Sequence, residues 1–584
     1  MQKIKNICFI ALSFVLLLGN SAYAQKRNTK KINKKTTTKK VVTKKQTAAT
    51  SKPIKPITTE TPKKVNEDTT KPDVVIIYAA FKPSLRNAAK INFTAASPVL
   101  DSSKISLKYN VPAQNLFFSY QPVPLKPLAL FVDSTNQWVN NQYVKVGYGG
   151  YNTPYIETGL SFGNGKSKLT SIYAMHTSSK GSMPFQQFGK TNLNIVGNYI
   201  VNNAHELVGS LYYKNNTQYQ YGYQPNTLVF TKKDLKQQFN SIGVVATYKR
   251  KMPNQYGITY APTLHINYFF DAKKAGEFNL IAEMPVTKTF KENFKLNVGL
   301  TADITAYKDN IKTLNNNLIF LNAGVQYKLN KVKFNIGLQP AFDNKQVNLL
   351  PNITAEAKLK NDKFILVAGF TGKFIKNNYN HLSSYNPWMD QPTFLANTRV
   401  LEVSAGFKGS AGQHFTYNAS VGYLGFKNMP LFVNNTIDEK SFVMMNDANL
   451  QAIKIAGEVG YQIQEKFSFL AGTSIYQFTE SANKYAYGIL PIEINGSLKW
   501  KVLKDLLVKT DVFIWEGPKY LSKNNSTEKL SAAIDINIGA EYSIIPKLNL
   551  WLQFNNLFNN KYERWNRYEV LGLNVLAGVV YSFR

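Results

Sequence analysis

From residue 142 to its end the chain repeats one pattern, apolar then polar, position by position. In Phe294–Ala306 every even position is apolar and every odd one is polar or Gly. Phe415–Tyr423 keeps the same alternation on odd positions and Ile534–Tyr542 on even ones. Successive side chains of a strand point to opposite faces, so each stretch has one oily face. Strands of a soluble sandwich also alternate but run nearer to 5–6 residues. Runs of ten or more match tilted membrane strands. In lipid an open sheet edge leaves backbone groups without partners, so the sheet must close.

The connections alternate as well. Tight turns at Gly163-Asn164-Gly165-Lys166, Lys360-Asn361-Asp362 and Gln464-Glu465-Lys466 separate paired strands, and longer Asn- or aromatic-rich segments (215–236, 376–398, 427–450) fall between the pairs. Short turns at the periplasmic end and long loops outside are the pattern of outer-membrane barrels. Counting between these breaks predicts an all-β fold, a transmembrane antiparallel β-barrel of about 22 strands over 142–584, the size of plugged outer-membrane transporters. An even count puts both barrel ends, and the tail before them, on the periplasmic side.

Composition supports that class. The 584 residues are 44% hydrophobic and 13% aromatic, with no apolar run long enough for a helical span after the N-terminus. The N-terminus itself is read as a signal peptide, 1–24: Lys3 and Lys5, an apolar stretch Ile7–Gly19, and an A-x-A site at Ala22-Tyr23-Ala24 that leaves Gln25 first in the mature chain. The sole cysteine, Cys8, lies inside it, which excludes disulfides and cysteine metal sites from the mature protein.

Charge changes the picture next. The net charge is +35, and residues 26–72 carry 15 basic against 3 acidic side chains. This Lys/Thr/Pro-rich stretch, 25–72, buries too little apolar area to offset chain entropy and is expected to be a disordered periplasmic tail. It is either a solvated linker or a tether to anionic envelope material. Export removes nucleic acid as a partner. Residues 73–141, with a short β-type run at Asp73–Tyr78 and six prolines beyond it, form a small irregular segment that is either periplasmic or folded into the barrel mouth. An open barrel of this size is a wide hole, so residues 73–138 or a partner protein are expected to occlude it.

With the apolar positions toward lipid, the alternate positions face the lumen. They include Lys295, Asp303, Glu356, Lys358, Glu402, Lys408, Lys454, Glu458, Glu493, Lys499, Asp511, Asp535 and Glu541. Interspersed signs suit pairing across the wall or polar contact with something lodged inside, whereas a strongly ion-selective pore favours a ring of one sign. No catalytic, cofactor or metal site is expected. The five histidines (176, 205, 265, 381, 414) show no metal-ligand spacing, and His176 before Thr177-Ser178-Ser179 has no nucleophile motif beside it.

The C-terminal stretch Leu550–Glu563, with Asn555-Asn556-Leu557-Phe558-Asn559-Asn560-Lys561-Tyr562, and the final strand Val579-Val580-Tyr581-Ser582-Phe583-Arg584 resemble the end of a TonB-dependent receptor barrel. Val144–Gly149 followed by Asn152-Thr153-Pro154 resembles plug-poor relatives of that family. The resemblance implies a receptor-like barrel taking part in solute transport, placed in the outer membrane of a Gram-negative envelope. Its partners would be outer-membrane lipids, the barrel-assembly machinery reading Tyr581 and Phe583 as an insertion signal, and TonB or a surface lipoprotein. Members carry a plug longer than 73–138. Glu67-Asp68-Thr69-Thr70 or Asp73-Val74-Val75 would serve as a TonB box, an extended stretch that adds a strand to its partner. The alternative is a non-transporting barrel, a scaffold or subunit of an envelope complex.

Overall fold

An alternating strand hides its polar face only if the sheet curls round and meets itself, and here it does. A computed structural model describes residues 142–583, except Gly165, Glu292, 360–362 and Glu465. The cleavage site at Ala22, Ala24 and Gln25, the tail 25–72 and the segment 73–141 lie outside the described residues. Twenty-two antiparallel strands form a closed barrel. The first, Tyr143–Gly149, pairs on one side with Thr153–Gly163 and on the other with the last strand, Asn574–Ser582. One further short segment, Ile258–Tyr260, lies against the same neighbour, Gly276–Lys291, as the strand Thr263–Asp271. The break between them contains Pro262, which has no N–H to give to the ladder. No described helix is long and apolar enough to cross a membrane; the crossing is made by strands.

The two faces sort as alternation requires. On Phe294–Lys308, Val298 and Leu300 are exposed while Thr301, Asp303 and Thr305 are buried. On Ala533–Ile545, Ile534 and Tyr542 are exposed, and Asp535, Asn537 and Glu541 are buried. Aromatics on the outer face gather toward both ends, with Tyr199, Tyr327, Phe334 and Trp500 near one and Tyr148, Tyr268, Phe278 and Phe342 near the other, the girdles of a lipid-embedded barrel. Tyr581 and Phe583 are exposed on this outer face, their rings edge-to-face at 5.3 Å. Val298→Arg or Ile536→Arg is expected to weaken insertion by roughly 2–4 kcal/mol near the midplane, while Asn297→Arg is tolerated; urea titration of protein folded into vesicles measures both. Asn537, which alternation alone would place with Asn297, differs: its buried side chain accepts from the Asn556 amide at 3.0 Å, so Arg there breaks a loop anchor.

The ends are unlike. At one end, here the turn end, most connections are tight, such as 330–331, 412–414, 504–505 and 546–547. At the other, the loop end, connections 220–235, 376–397, 428–449, 482–491, 516–532 and 556–573 are long and carry their own small elements, including hairpins Met429–Asn434/Phe442–Asp447 and Lys519–Leu521/Thr527–Lys529 and a helix Tyr379–Tyr385.

The closing seam is reinforced from inside. Trp551 donates its indole N–H to the Val146 carbonyl at 3.1 Å. Lys145 Nζ sits 4.2 Å from the Trp551 ring centre, and Tyr155 meets that ring edge-on at 5.5 Å. Tyr143 donates to Glu157 at 2.6 Å, and Tyr155 donates to the other Glu157 oxygen. One aromatic and ionic cluster therefore ties Leu548–Asn555 to the first two strands across the last one.

Candidate functional site: the folded cap at the loop end

The largest buried apolar cluster of the described residues is built mainly at the loop end, from strand ends and loops together. It includes Phe239, Tyr307, Tyr379, Leu382, Met389, Phe426, Phe432, Phe442, Tyr487, Trp565 and Tyr568. Its framework is the segment 376–397. This strap leaves the barrel between Ile365–Ile375 and Thr398–Ala411 and reaches more than a third of the way round the wall. There Gln218 and Gln237 donate to the carbonyls of Pro387 and Met389 at 2.6 and 3.0 Å.

Carboxylates at the loop ends of neighbouring strands hold the strap. Lys376 Nζ lies 3.1 Å from an Asp303 carboxylate oxygen and donates to the carbonyls of Asp303 and Asn316. The backbone amides of Tyr379 and Asn380 donate to Glu277 at 2.5 and 3.1 Å, and the Tyr379 hydroxyl donates to Asp271 at 2.9 Å. Asn397 donates to Asp343 at 2.7 Å. Charge-assisted bonds of this kind are the stronger sort, and the acids lie buried where leaving them without partners would be costly.

Other loops lock onto the strap. Residues 388–390 pair with Phe442 through backbone hydrogen bonds in both directions. Trp388 stacks on Tyr568 with ring centres 4.1 Å apart. Trp565 is walled by Tyr385, Phe432 and Phe442. Arg564 donates to the Tyr385 hydroxyl and the Gly488 carbonyl at 2.9 and 3.0 Å, and Arg567 pairs with buried Glu439 at 2.5 Å. Gln186 and Tyr221 both donate to the Glu569 carbonyl. Loops from most of the circumference thus meet in one folded body over the mouth.

Electrostatics in this body follow burial and hydrogen bonding. Burial alone would raise Asp447, but the Ser481 hydroxyl and the amides of Asn449, Ala482 and Asn483 outweigh it and hold the carboxyl low. Burial pushes Glu563 up. Burial drives His381, on the strap helix, down to about 4. An unfolded loop binds the His381 proton from roughly pH 6.5 downward, the folded cap only near pH 4. The cap therefore keeps its full His381 contribution above pH 6.5 and loses it progressively as the pH falls from 6.5 toward 4. The protection of amides in 376–397, taken as the observed exchange rate relative to the intrinsic rate at each pH, should fall across that window, and His381→Gln should remove that part of the change. Glu563 acts in the opposite sense, so the comparison of the two proteins isolates His381.

The charged residues singled out by alternation lie on the inner face but do not form one site. Asp303 meets Lys376, Lys408 pairs with Glu356 at 3.0 Å, Asn549 donates to Glu541 at 2.6 Å, and Tyr562 donates to Asp535 at 2.5 Å. Lys454 is buried 5.4 Å from the Tyr476 ring centre. Glu402, Glu458, Glu493, Lys499, Asp511, Lys295 and Lys358 occupy separate inner-face positions on their strands. Among the described residues no group of three His, Cys, Asp or Glu is placed to hold a metal ion. His176 is bonded to Thr191 on an exposed strand face. In the sequence alone 376–398 and 427–450 show only as long loops, and of 556–573 only the start shows, as the loop in Asn555–Tyr562; the usable signal is their density of Tyr, Trp and Asn.

No protein-family model and no curated protein matches the sequence. Solved structures do match. The FrpB iron transporter from Neisseria meningitidis aligns over 77% of this chain and 82% of its own with TM-score 0.59 and 11% identity. The ferric enterobactin receptor PfeA from Pseudomonas aeruginosa aligns over 76% and 80% with TM-score 0.58 and 12% identity. The ferripyoverdine receptor of the P. aeruginosa outer membrane aligns over 76% and 72% with TM-score 0.57 and 11% identity. These are receptors and transporters rather than enzymes, and the fold they share with this chain is the 22-strand barrel of the TonB-dependent outer-membrane receptors.

Proposed function

We propose that this protein is a TonB-dependent-receptor-like barrel that takes part in moving a solute across the outer membrane, with the loop end at the cell surface and the turn end and basic tail in the periplasm. The observation that carries this reading is the folded cap. Loops that interlock across one mouth turn a barrel of this width from an open hole into a gated one, which is what an outer membrane requires of a transporter that is not a general pore. The sequence expectation placed the stopper in residues 73–138 or a partner. That segment lies outside the described residues, and the cap is a further closure supplied by the barrel itself. On this reading TonB, the barrel-assembly machinery and a surface lipoprotein remain the partners to seek in pull-downs from mild-detergent membranes.

Single-channel recording in planar bilayers tests the gate. Full-length protein should stay closed, and a variant with strap residues 379–391 replaced by a short Gly/Ser linker should show openings. A barrel that stays closed after both this change and deletion of 73–138 has no through-path, and the transport reading falls. Large constant currents from the full-length protein would reject self-closure.

A further inference from the structure

Four neighbouring strands, Lys168–Ser179, Phe188–Ile200, His205–Tyr219 and Lys236–Arg250, share an outer-face patch at the turn end. The ladder sets Lys168 opposite Tyr199, Tyr199 opposite Leu207 and Leu207 opposite Tyr248. Two residues nearer the end, it sets His205 opposite Arg250. Tyr199, Leu207 and Tyr248 are exposed on the outer face. Lys168, His205 and Arg250 share their parity and face outward too. Lys168 Nζ lies 5.3 Å from the Tyr199 ring centre, a pairing of cation and aromatic ring that suits a bilayer interface. Toward the middle of the wall the same face continues as Leu211, Ile242 and Val244, all apolar and exposed.

Arg250 is the organised part of this patch, and it is held on one side only. Its Nε donates to the Met252 carbonyl at 2.9 Å and its Nη1 to His205 Nε2 at 3.0 Å. A guanidinium only donates, so His205 Nε2 accepts and the ring proton sits on Nδ1, 3.1 Å from the Asn202 side-chain oxygen. That oxygen also accepts from the amides of Ala204 and His205. The imidazole is stacked on Tyr248 with ring centres 5.4 Å apart, and the Tyr260 hydroxyl lies 3.1 Å from Nε2. The guanidinium is therefore fixed in place, while its Nη2 bonds to no described residue. Glu206, beside His205 in sequence, does not serve it: that carboxylate is turned to the inner face, where Lys249 and Lys251 hold it at 3.0 Å each.

We infer that Arg250, backed by Lys168, is a binding site for the headgroup phosphate of an anionic phospholipid in the leaflet at the turn end, whose acyl chains lie against Leu207, Leu211 and Val244. A pre-positioned guanidinium with open donors takes phosphate oxygens through charge-assisted bonds. The position selects a lipid over a free anion: the cations border a wall that faces hydrocarbon, so only an amphipathic ligand matches both halves of the patch. The site rests on the lipid-facing outer wall alone; that its leaflet is the periplasmic one rests on the orientation proposed above.

Native mass spectrometry of the full-length protein, released from vesicles of mixed phosphatidylcholine and phosphatidylglycerol, tests the site by the lipids that stay bound. The unmodified protein should retain phosphatidylglycerol in preference to phosphatidylcholine. Arg250→Gln combined with Lys168→Gln should cut that preference at least about tenfold, the factor one charge-assisted bond is worth. Lys232→Gln with Lys233→Gln, exposed in the cap, should leave it unchanged. Thermal unfolding separates binding from mere structure, with each protein in phosphatidylcholine vesicles as its own reference. Adding phosphatidylglycerol should raise the midpoint of the unmodified protein by linkage and leave that of the Arg250/Lys168 variant where it was. No preference in the unmodified protein, an equal preference in the Arg250/Lys168 variant, or an equal loss in the cap variant would overturn the site. Displacement of the lipid by inorganic phosphate would show a site for free anions and overturn the lipid assignment. A failure of the channel recordings above would sink the transport reading and leave this site standing.

Discussion

Gly578→Ala should abolish the folded barrel. Gly578 sits in the last strand directly opposite Gly147 of the first. A Cβ added at 578 would lie 1.9 Å from the Val146 carbonyl oxygen and 2.7 Å from the Trp551 indole nitrogen. The first obstacle is backbone that itself receives the Trp551 N–H, so no flexible side chain can swing away. At Gly147 an added Cβ would meet Trp551 Cζ2 at 2.2 Å and the Ala577 carbonyl at 2.7 Å. The two glycines let the strands come close enough for Trp551 to lie over both. If the seam cannot form, two edges are left in lipid with several kcal/mol at stake for each polar group without a partner. The readout is the heat-modifiable gel shift of membrane-extracted protein, which should vanish for Gly578→Ala. Gly197→Ala and Gly425→Ala, where nothing lies within 4 Å of the added atom, serve as controls and should retain the shift. A normal shift for Gly578→Ala would show that the seam is not held by this packing. Trp551→Ala, which removes the tie but adds no clash, should lower stability by about 3–5 kcal/mol and still permit closure.

The seam and the cap also show what a linear reading reaches. Strand faces were legible because alternation is local: the parity of Phe294–Ala306 or Ile534–Tyr542 needs no knowledge of neighbours. The closed architecture and its size followed from strand length and from the cost of an open edge. What stayed hidden depends on which strand end meets which loop. Nothing near Lys376 in sequence announces Asp303, and nothing near Tyr379 announces Glu277, more than a hundred residues earlier. Parity likewise made Asn297 and Asn537 equivalent, although one lies on an open wall and the other holds the Asn556 amide. The same holds for charge. Read along the chain the inner-face charges look interspersed, as with Glu356 and Lys358 or Glu402 and Lys408. Only the pairing register sets Lys333 opposite Glu356 and brings Asp303 and Asp343 to the two sides of Leu318.

The cap carries the second large effect, at Trp565. Its ring is nearly fully buried, with Phe442 5.3 Å away, Phe432 5.5 Å and Tyr385 5.6 Å between ring centres, and the Arg564 guanidinium 4.4 Å from its own. Gly488, in the left-handed region at φ +75°, passes so near that an added Cβ would meet the indole at 2.9 Å. Three other loops therefore converge on this one side chain. Truncating a buried Trp costs about 3–5 kcal/mol. The barrel ladder does not include Trp565, so this loss falls on cap opening, a local equilibrium separate from global unfolding. Three kcal/mol is about a hundredfold in that equilibrium. Trp565→Ala should therefore lower amide protection about a hundredfold in 379–391, 429–445 and 562–571, with the heat-modifiable shift of the barrel unchanged. Trp565→Phe should lose much less. In planar bilayers the Ala variant should show brief openings that the unmodified protein lacks. If protection in those loops stays at its original level, the aromatic cluster does not hold the mouth shut, and closure must come from the acid-anchored strap alone. Combining Trp565→Ala with Glu277→Gln then decides between them, because two independent latches add in free energy while two parts of a single one do not.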